Sequence, residues 1–365
     1  MYLRHRVERI FENLDEDVDA IYIRNSTEPI IDKTFFYVTG IRSGLFESST
    51  VLLFPGGDME VIVPPLEETS AKGYGLNLTV VPRRAEIGEH LQTMLKGCER
   101  VGINSPEVSY AAVMDLQKAM PKTKLVDVSK AVMQARLVKD ETEIEQIRKA
   151  CRIVSKVARK IPEFLDQGMK ETDVAAEINH RMQLYGALEP SFTTISSFGK
   201  NSAEPHYTAG NMKLKQGQFA LFDYGARVGR YVSDMTRTFV CGNPEPKMKR
   251  MYDVVLEAQR IGIDMMVEGN NGKDVHKAVE DHIEATEFKG RFIHSTGHSI
   301  GLSVHDGGVI HTLIDQPLKD GMIFTVEPGV YLPGYGGVRI EDNVVVRKGR
   351  PEILTPAPRS KLISV

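Results

Sequence analysis

The chain has 365 residues, of which 41% are hydrophobic and 26% charged, and its formal net charge is −3. That length gives room for roughly two domains of ordinary globular composition. The charge balance argues against nucleic acid or an anionic membrane as partner, and no run approaches the ~18 apolar residues of a membrane span.

The start, MYLRHRVERIFENL, has helical spacing and is charged and amphipathic. It lacks the apolar stretch of a secretory signal. Cys98, Cys151 and Cys241 are odd in number and form no CxxC pair, which reads as free thiols in a reducing cytoplasm. Ala20 to Ile23 reads as a short apolar strand. Thr34 to Thr39 and Thr50 to Phe54 also read as strands, and Pro55-Gly56-Gly57-Asp58 as a turn before Glu60 to Val63. Leu78 to Val81 and Arg100 to Ile103 are strand-like; Glu86 to Leu95 and Ser109 to Ala119 are helix-like. Strands alternating with helices predict an α/β domain over residues 1–130. This part holds no phosphate loop and no catalytic cluster.

From about residue 131 the pattern changes. Lys139-Asp140-Glu141-Thr142-Glu143 opens a long charged helix reaching to about Leu165, with Ile144, Ile147, Ala150, Cys151, Val154, Val157 and Ala158 on one stripe. The chain then repeats itself weakly. Val174, Ile178 and Met182 on one helix match Val275, Val279 and Ile283 on another, 101 residues later. Each helix precedes a strand-rich stretch ending in an acidic hairpin. This echo suggests two similar halves about a pseudo-twofold axis.

The first hairpin is Leu221 to Val240. A turn at Val228-Gly229 would set Asp223 opposite Asp234, with Cβ atoms roughly 4.5–5.5 Å apart. Read alone, the two are either solvated acids or partners of a cation between them. The second hairpin, Phe324 to Val346, reverses near Gly334, which would set Glu327 opposite Glu341. Four carboxylates on one axis in a core need cations. Histidine supplies another ligand type. Phe292 to Asp306 holds His294, His298 and His305 beside Gly297 and Gly301, and His206 lies in Asn201 to Tyr207.

These segments together resemble the metallopeptidase family of aminopeptidase P, prolidase and methionine aminopeptidase. The matching pieces are Asp223-Tyr-Gly, Ser233-Asp234-Met-Thr-Arg-Thr, His294-Ser-Thr-Gly-His298-Ser-Ile-Gly-Leu-Ser-Val-His305-Asp, Thr325-Val-Glu327-Pro-Gly and Arg339-Ile-Glu341-Asp. The resemblance covers about Glu141 to Val346, and the front part looks like the creatinase-type N-terminal domain. It implies an α/β N-terminal domain, 1–130, and an α+β pita-bread catalytic domain, 131–365, with a pseudo-twofold internal repeat. By resemblance, Asp223 would hold one metal ion, His298 would begin the site of the other, and Glu327 would complete it. Asp234 and Glu341 would bridge both. The oxygen-rich set suits Mn²⁺ or Co²⁺, with Zn²⁺ possible. A hydroxide shared by the two ions would be the nucleophile. Glu327 would move its proton. His206 and His305 would orient the scissile carbonyl or stabilise its oxyanion, and His294 would shape the proline pocket. Tyr331 and Arg339 would hold ligands and substrate in place.

The front domain and Arg339-Ile-Glu341-Asp342 favour the proline-specific members, so the expected activity is hydrolysis of the Xaa-Pro bond as a dipeptidase or an aminopeptidase. The expected partners are Xaa-Pro peptides and a second copy in a homodimer, in the cytoplasm, with no nucleic acid and no membrane. Archaeal-type prolidases place an Arg shortly after the last histidine of the segment. Here Asp306-Gly-Gly-Val309-Ile-His311 follows His305, and His311 could replace that Arg only in part. The alternatives are a metal-free creatinase-like hydrolase and a non-catalytic binding module on the same fold; both have lost metal ligands, whereas all five types are present here.

Overall fold

In the computed structural model, which describes residues 2–83 and 86–365, the chain divides after Arg136 into two units. The first holds α1 (Tyr2–Glu12), β1 (Ala20–Arg24), α2 (Lys33–Thr39), β2 (Thr50–Leu53), β3 (Met59–Val63) and α3 (Pro65–Lys72). It continues with β4 (Leu78–Val80), α4 (Ile87–Met94), β5 (Arg100–Ile103), α5 (Tyr110–Ala119), β6 (Lys124–Asp127) and α6 (Ser129–Leu137). The six strands form one mixed sheet in the order β4-β3-β2-β1-β5-β6. The central strands β1 and β2 are buried at every position, which is why their sequences read as continuous apolar runs rather than alternating ones. Helix α6 closes this unit, because the Ala135 carbonyl accepts from Tyr37 Oη at 3.0 Å and from Arg9 Nη2 at 2.6 Å.

Thr34 to Thr39 corrects an expectation: it is helix α2, not a strand. Its β-branched and aromatic residues suit a strand. Local caps decide otherwise. The Asp32 carboxylate accepts from Thr34 N–H at 2.9 Å, and Gly40, at φ 68°, ends the helix with its N–H on the Phe36 carbonyl. Every residue from Thr34 to Thr39 is buried, so no polar face marks a helical period.

The second unit opens on α7 (Glu141–Phe164). Its capping box is complete: Asp140 accepts from Glu143 N–H, and Glu143 accepts from Asp140 N–H. Next come α8 (Glu171–Leu184), β7 (Glu189–Pro190), β8 (Ile195–Phe198), a 3₁₀ turn at Gly199–Ala203, β9 (Phe219–Tyr224), β10 (Ala226–Val228), β11 (Tyr231–Val232) and β12 (Met235–Val240). Then follow α9 (Pro246–Asp264), α10 (Gly272–Glu284), β13 (Gly297–His298), β14 (Val309–Ile310), β15 (Ile323–Val326) and β16 (Gly329–Leu332). The unit ends with β17 (Gly336–Arg339), β18 (Asp342–Val345), β19 (Glu352–Ile353) and β20 (Ile363–Ser364). The repeated helices are α8 and α10. Val174, Ile178, Met182, Val275, Val279 and Ile283 are all fully buried, so each helix lays its apolar stripe on the core beneath a hairpin.

The first hairpin corrects the expected register. The chain reverses at Gly229-Arg230, whose φ angles are 52° and 74°, and Val228 pairs with Tyr231. A two-residue turn of this kind needs positive φ at both central positions, and β-branched Val228 resists it. The pairing therefore sets Asp223 opposite Thr236, not Asp234. Asp234 lies two residues before Thr236 and keeps the same face, because side chains alternate with period two. The second hairpin keeps the expected centre. Val326 pairs with Asp342 and Gly329 with Arg339, which puts Glu327 level with Glu341.

Candidate metal centre

The two hairpins are stitched together at their acidic ends. Glu341 N–H donates to the Thr236 carbonyl at 3.2 Å, and Thr238 Oγ1 donates to the Arg339 carbonyl at 2.9 Å. Asn343 Oδ1 accepts from Asp234 N–H at 3.0 Å. These bonds bring Asp234 beside Glu341. His298 arrives on β13, where its N–H donates to Thr325 Oγ1 at 2.9 Å. The same hydroxyl donates to Glu327 Oε1 at 2.9 Å, so one threonine aligns two of the expected ligands. Gly297 permits this approach: a Cβ there would lie 1.9 Å from the Thr325 carbonyl oxygen.

Ligand atoms of Asp234, His298 and Glu341 lie within 4.8 Å of one another. His298 Nε2 is 3.4 Å from Glu327 Oε1 and 3.6 Å from Asp234 Oδ2. Asp223 joins the group through Arg339, whose Nη2 donates to Asp223 Oδ2 at 2.6 Å. Arg339 is buried and also donates to Thr236 Oγ1 at 2.9 Å and to Tyr331 Oη at 2.9 Å. Thr236 Oγ1 in turn donates to Glu341 Oε2 at 2.7 Å. Tyr331 Oη lies 2.8 Å from His294 Nε2.

Burial and mutual repulsion dominate the electrostatics. Burial first, then the charges of Glu341 and Asp223, hold the Asp234 carboxyl well above its usual range. Glu341 is raised in the same way by burial and by Glu327 and Asp223. Burial pushes Glu327 up to about 7, with Arg339 opposing the shift and Asp223 adding to it. Burial, and then the neighbouring Arg339 charge, pull His294 down to about 3, so this imidazole is neutral. Three oxygens of the cluster, Asp223 Oδ1, Asp234 Oδ1 and Glu341 Oε1, are buried without a hydrogen-bond partner. Unpaired carboxylate oxygens facing one another are costly unless a cation takes them. The donor set, four carboxylates and one imidazole, fits divalent metal ions.

The cluster forms one wall of a cavity of about 410 Å³, within the usual range for small-ligand sites. Asp223, Asp234, His298, Glu327 and Arg339 line it, as do His206, His294 and His305. Phe192, Ile195, Pro205 and Val304 give it an apolar side. The His305 ring centre is 4.2 Å from that of His298. Tyr331 stands behind this wall, 3% exposed. His311 is not on the wall. It stacks on His276 at 4.7 Å, and its Nδ1 accepts from Leu313 N–H. Sequence reading passed over Thr236, Thr325 and Asn343. Only the period-two spacing of Thr236 from Asp234, and of Thr325 from Glu327, could have flagged the two threonines.

Residues 145–348 match the model of metallopeptidase family M24, and residues 6–138 match that of the Creatinase/Prolidase N-terminal domain. The chain belongs to metallopeptidase family M24, and its second unit is a pita-bread catalytic fold. A Xaa-Pro dipeptidase of Pyrococcus furiosus is 31% identical over 361 residues, 99% of this chain and 100% of that protein. The X-Pro aminopeptidase structure from Thermotoga maritima superposes with a TM-score of 0.91 at 31% identity, covering 99% of this chain and 100% of that one. A Xaa-Pro dipeptidase from Bacillus anthracis gives 0.91 at 30% identity over the full length of both chains. Among the described residues, no helix is long and apolar enough to cross a membrane.

Proposed function

We propose that this chain cleaves the Xaa-Pro peptide bond, as a dipeptidase or an aminopeptidase, with the chemistry resident in residues 131–365. The observation that carries this reading is the convergence of Asp223, Asp234, His298 and Glu327 on one wall of a cavity with an apolar side, with buried Glu341 beside Asp234 and His298. These five would hold two divalent ions, Mn²⁺ or Co²⁺, with Asp234 and Glu341 between them. Bound there, the ions would supply Lewis acidity and ease the ionisation of water.

The protein's own groups do the rest. Thr325 anchors Glu327 Oε1, which leaves Oε2 to take a proton from the attacking water and pass it to the leaving nitrogen. His206 and His305 orient the scissile carbonyl and stabilise its developing charge. Neutral His294, fixed by Tyr331, packs beside the proline ring, which offers no N–H for a polar site to read. Arg339 holds Asp223 and Tyr331 in place. Free Cys98, Cys151 and Cys241 fit a cytoplasmic setting.

The test is hydrolysis of Ala-Pro, an Ala-Pro-Xaa tripeptide and Ala-Ala with Mn²⁺ or Co²⁺ supplied. Cleavage of the proline peptides alone is expected. Equal turnover of Ala-Ala, or full turnover of Ala-Pro under thorough chelation, would contradict the proposal.

A further inference from the structure

We propose that Glu171 is a positioning residue that fixes the loop carrying His206 at the edge of the metal cavity. Glu171 is the first residue of α8 and is 0% exposed. Among the described residues no Lys or Arg pairs with it. Instead its carboxylate accepts four hydrogen bonds. Phe198 N–H at 2.9 Å and Asn201 Nδ2 at 3.0 Å donate to Oε1. Tyr207 Oη at 2.9 Å and Gly210 N–H at 3.1 Å donate to Oε2. All four donors belong to one stretch, 198–210, and they bracket His206 on both sides.

A carboxylate without a counter-cation is costly to bury unless its lone pairs are filled. Here the loop fills them, and the positive end of α8 adds a favourable field. The bond to Glu171 also shows in Tyr207, whose hydroxyl is pushed up to about 12 by burial and then by this carboxylate. The far side of the loop is fastened to the site. Gly337 N–H donates to Ser202 Oγ at 2.8 Å, and Arg339 Nη1 donates to the Pro205 carbonyl at 3.5 Å. A Cβ at Gly337 would lie 2.1 Å from the Ser202 carbonyl oxygen, so the loop sits directly on β17. The loop is therefore held between Glu171 and the guanidinium that grips Asp223. Hydrogen bonds to an ionised acceptor are about twice as strong as neutral ones, which suits this carboxylate to fixing a catalytic loop.

The inference rests on the proposed function only in giving His206 a part in turnover. Glu171→Gln keeps the side-chain volume but turns an amide NH₂ toward groups that are themselves donors. Three readouts test it on the Mn²⁺-loaded chain. Amide exchange over residues 199–210, followed by mass spectrometry, should quicken while the other segments keep their rates; this holds whether or not the chain cleaves Xaa-Pro. Mn²⁺ affinity should stay within about twofold, because no metal ligand is touched. The kcat for Ala-Pro should fall about tenfold or more, as expected when a catalytic group is misplaced by a fraction of an ångström to an ångström. In a His206→Ala background the same change should cost less than about twofold. Tyr207→Phe removes one donor and should reproduce a smaller version of the pattern if Glu171→Gln does not fold. Unchanged exchange at 199–210, or losses that multiply fully with His206→Ala, would overturn the assignment. Absence of Ala-Pro turnover in the unaltered chain would count against the proposed function, and the exchange result would still decide the role of Glu171.

Discussion

Thr236 shows how much of the site depends on groups that carry no charge. Its hydroxyl donates to Glu341 and accepts from Arg339, so it sets the orientation of a carboxylate proposed to hold metal. Thr236→Val keeps the shape and removes both bonds. We expect Mn²⁺ affinity to fall about tenfold or more, read by calorimetry, with the fold retained; an unchanged affinity would show that Glu341 is oriented without it. His276 gives a pH test. Burial, then the neighbouring His311, pull it down to about 4. Folded, this imidazole stays neutral; unfolded, it protonates below its ordinary 6.5. The unfolded chain thus binds the extra proton, and the contribution of His276 to stability falls as pH drops from 6.5 toward 4, by about 1.4 kcal/mol per pH unit. Denaturant unfolding at several pH values should therefore show the stability difference between the unaltered chain and His276→Gln changing by about this amount per pH unit; a difference independent of pH would contradict it. The four acids stood out in the sequence because they lie at hairpin-related positions, whereas His298 was set apart from its neighbouring histidines only by the resemblance to the metallopeptidase family. Thr236, Thr325 and Asn343 did not stand out, since a hydroxyl or amide gains its role only when a distant strand arrives beside it.

At the scale of elements, hairpin geometry decides which acids meet. Gly334, at φ 78°, centres the second reversal where glycine spacing indicated. The first lies one residue later than expected because both turn positions need positive φ, and Arg230 takes one of them. Parity survived the shift, so Asp223 and Asp234 still share a face. Helix α2 was read as a strand because caps at Asp32 and Gly40, with burial all round, outweigh the preference of its β-branched and aromatic residues. Strand β13 gives the sharpest test of an element. Gly297→Ala forces a methyl against the Thr325 carbonyl, and overpacking of this kind costs about 1–3 kcal/mol. We expect a melting temperature several degrees lower and weaker Mn²⁺ binding as His298 is displaced. Gly269→Ala, where a Cβ would meet nothing within 4 Å, should leave metal binding intact even though its positive φ costs some stability. Equal effects on metal affinity would remove the steric account of β13.

Over the whole molecule, periodicity marked an α/β front unit and a change of pattern after it, and apolar spacing marked the repeat of α8 by α10; the α+β class of the second unit came from the family resemblance. What sequence could not supply was the way the two hairpins interlock, since the bonds from Thr236 to Glu341 and from Thr238 to Arg339 join residues about a hundred positions apart. That interlock gathers acids whose burial is unfavourable without cations. Loading with Mn²⁺ should therefore raise the melting temperature, by the equivalent of about 2.7 kcal/mol at one hundred times the dissociation constant. Chelation should reverse it. The central claim is that five side chains cage a pair of ions, and calorimetric titration of Mn²⁺ into the metal-free chain tests it most directly. The account predicts two ions per chain, with binding sharply weakened in Glu341→Gln; no binding, or binding indifferent to that substitution, would contradict it.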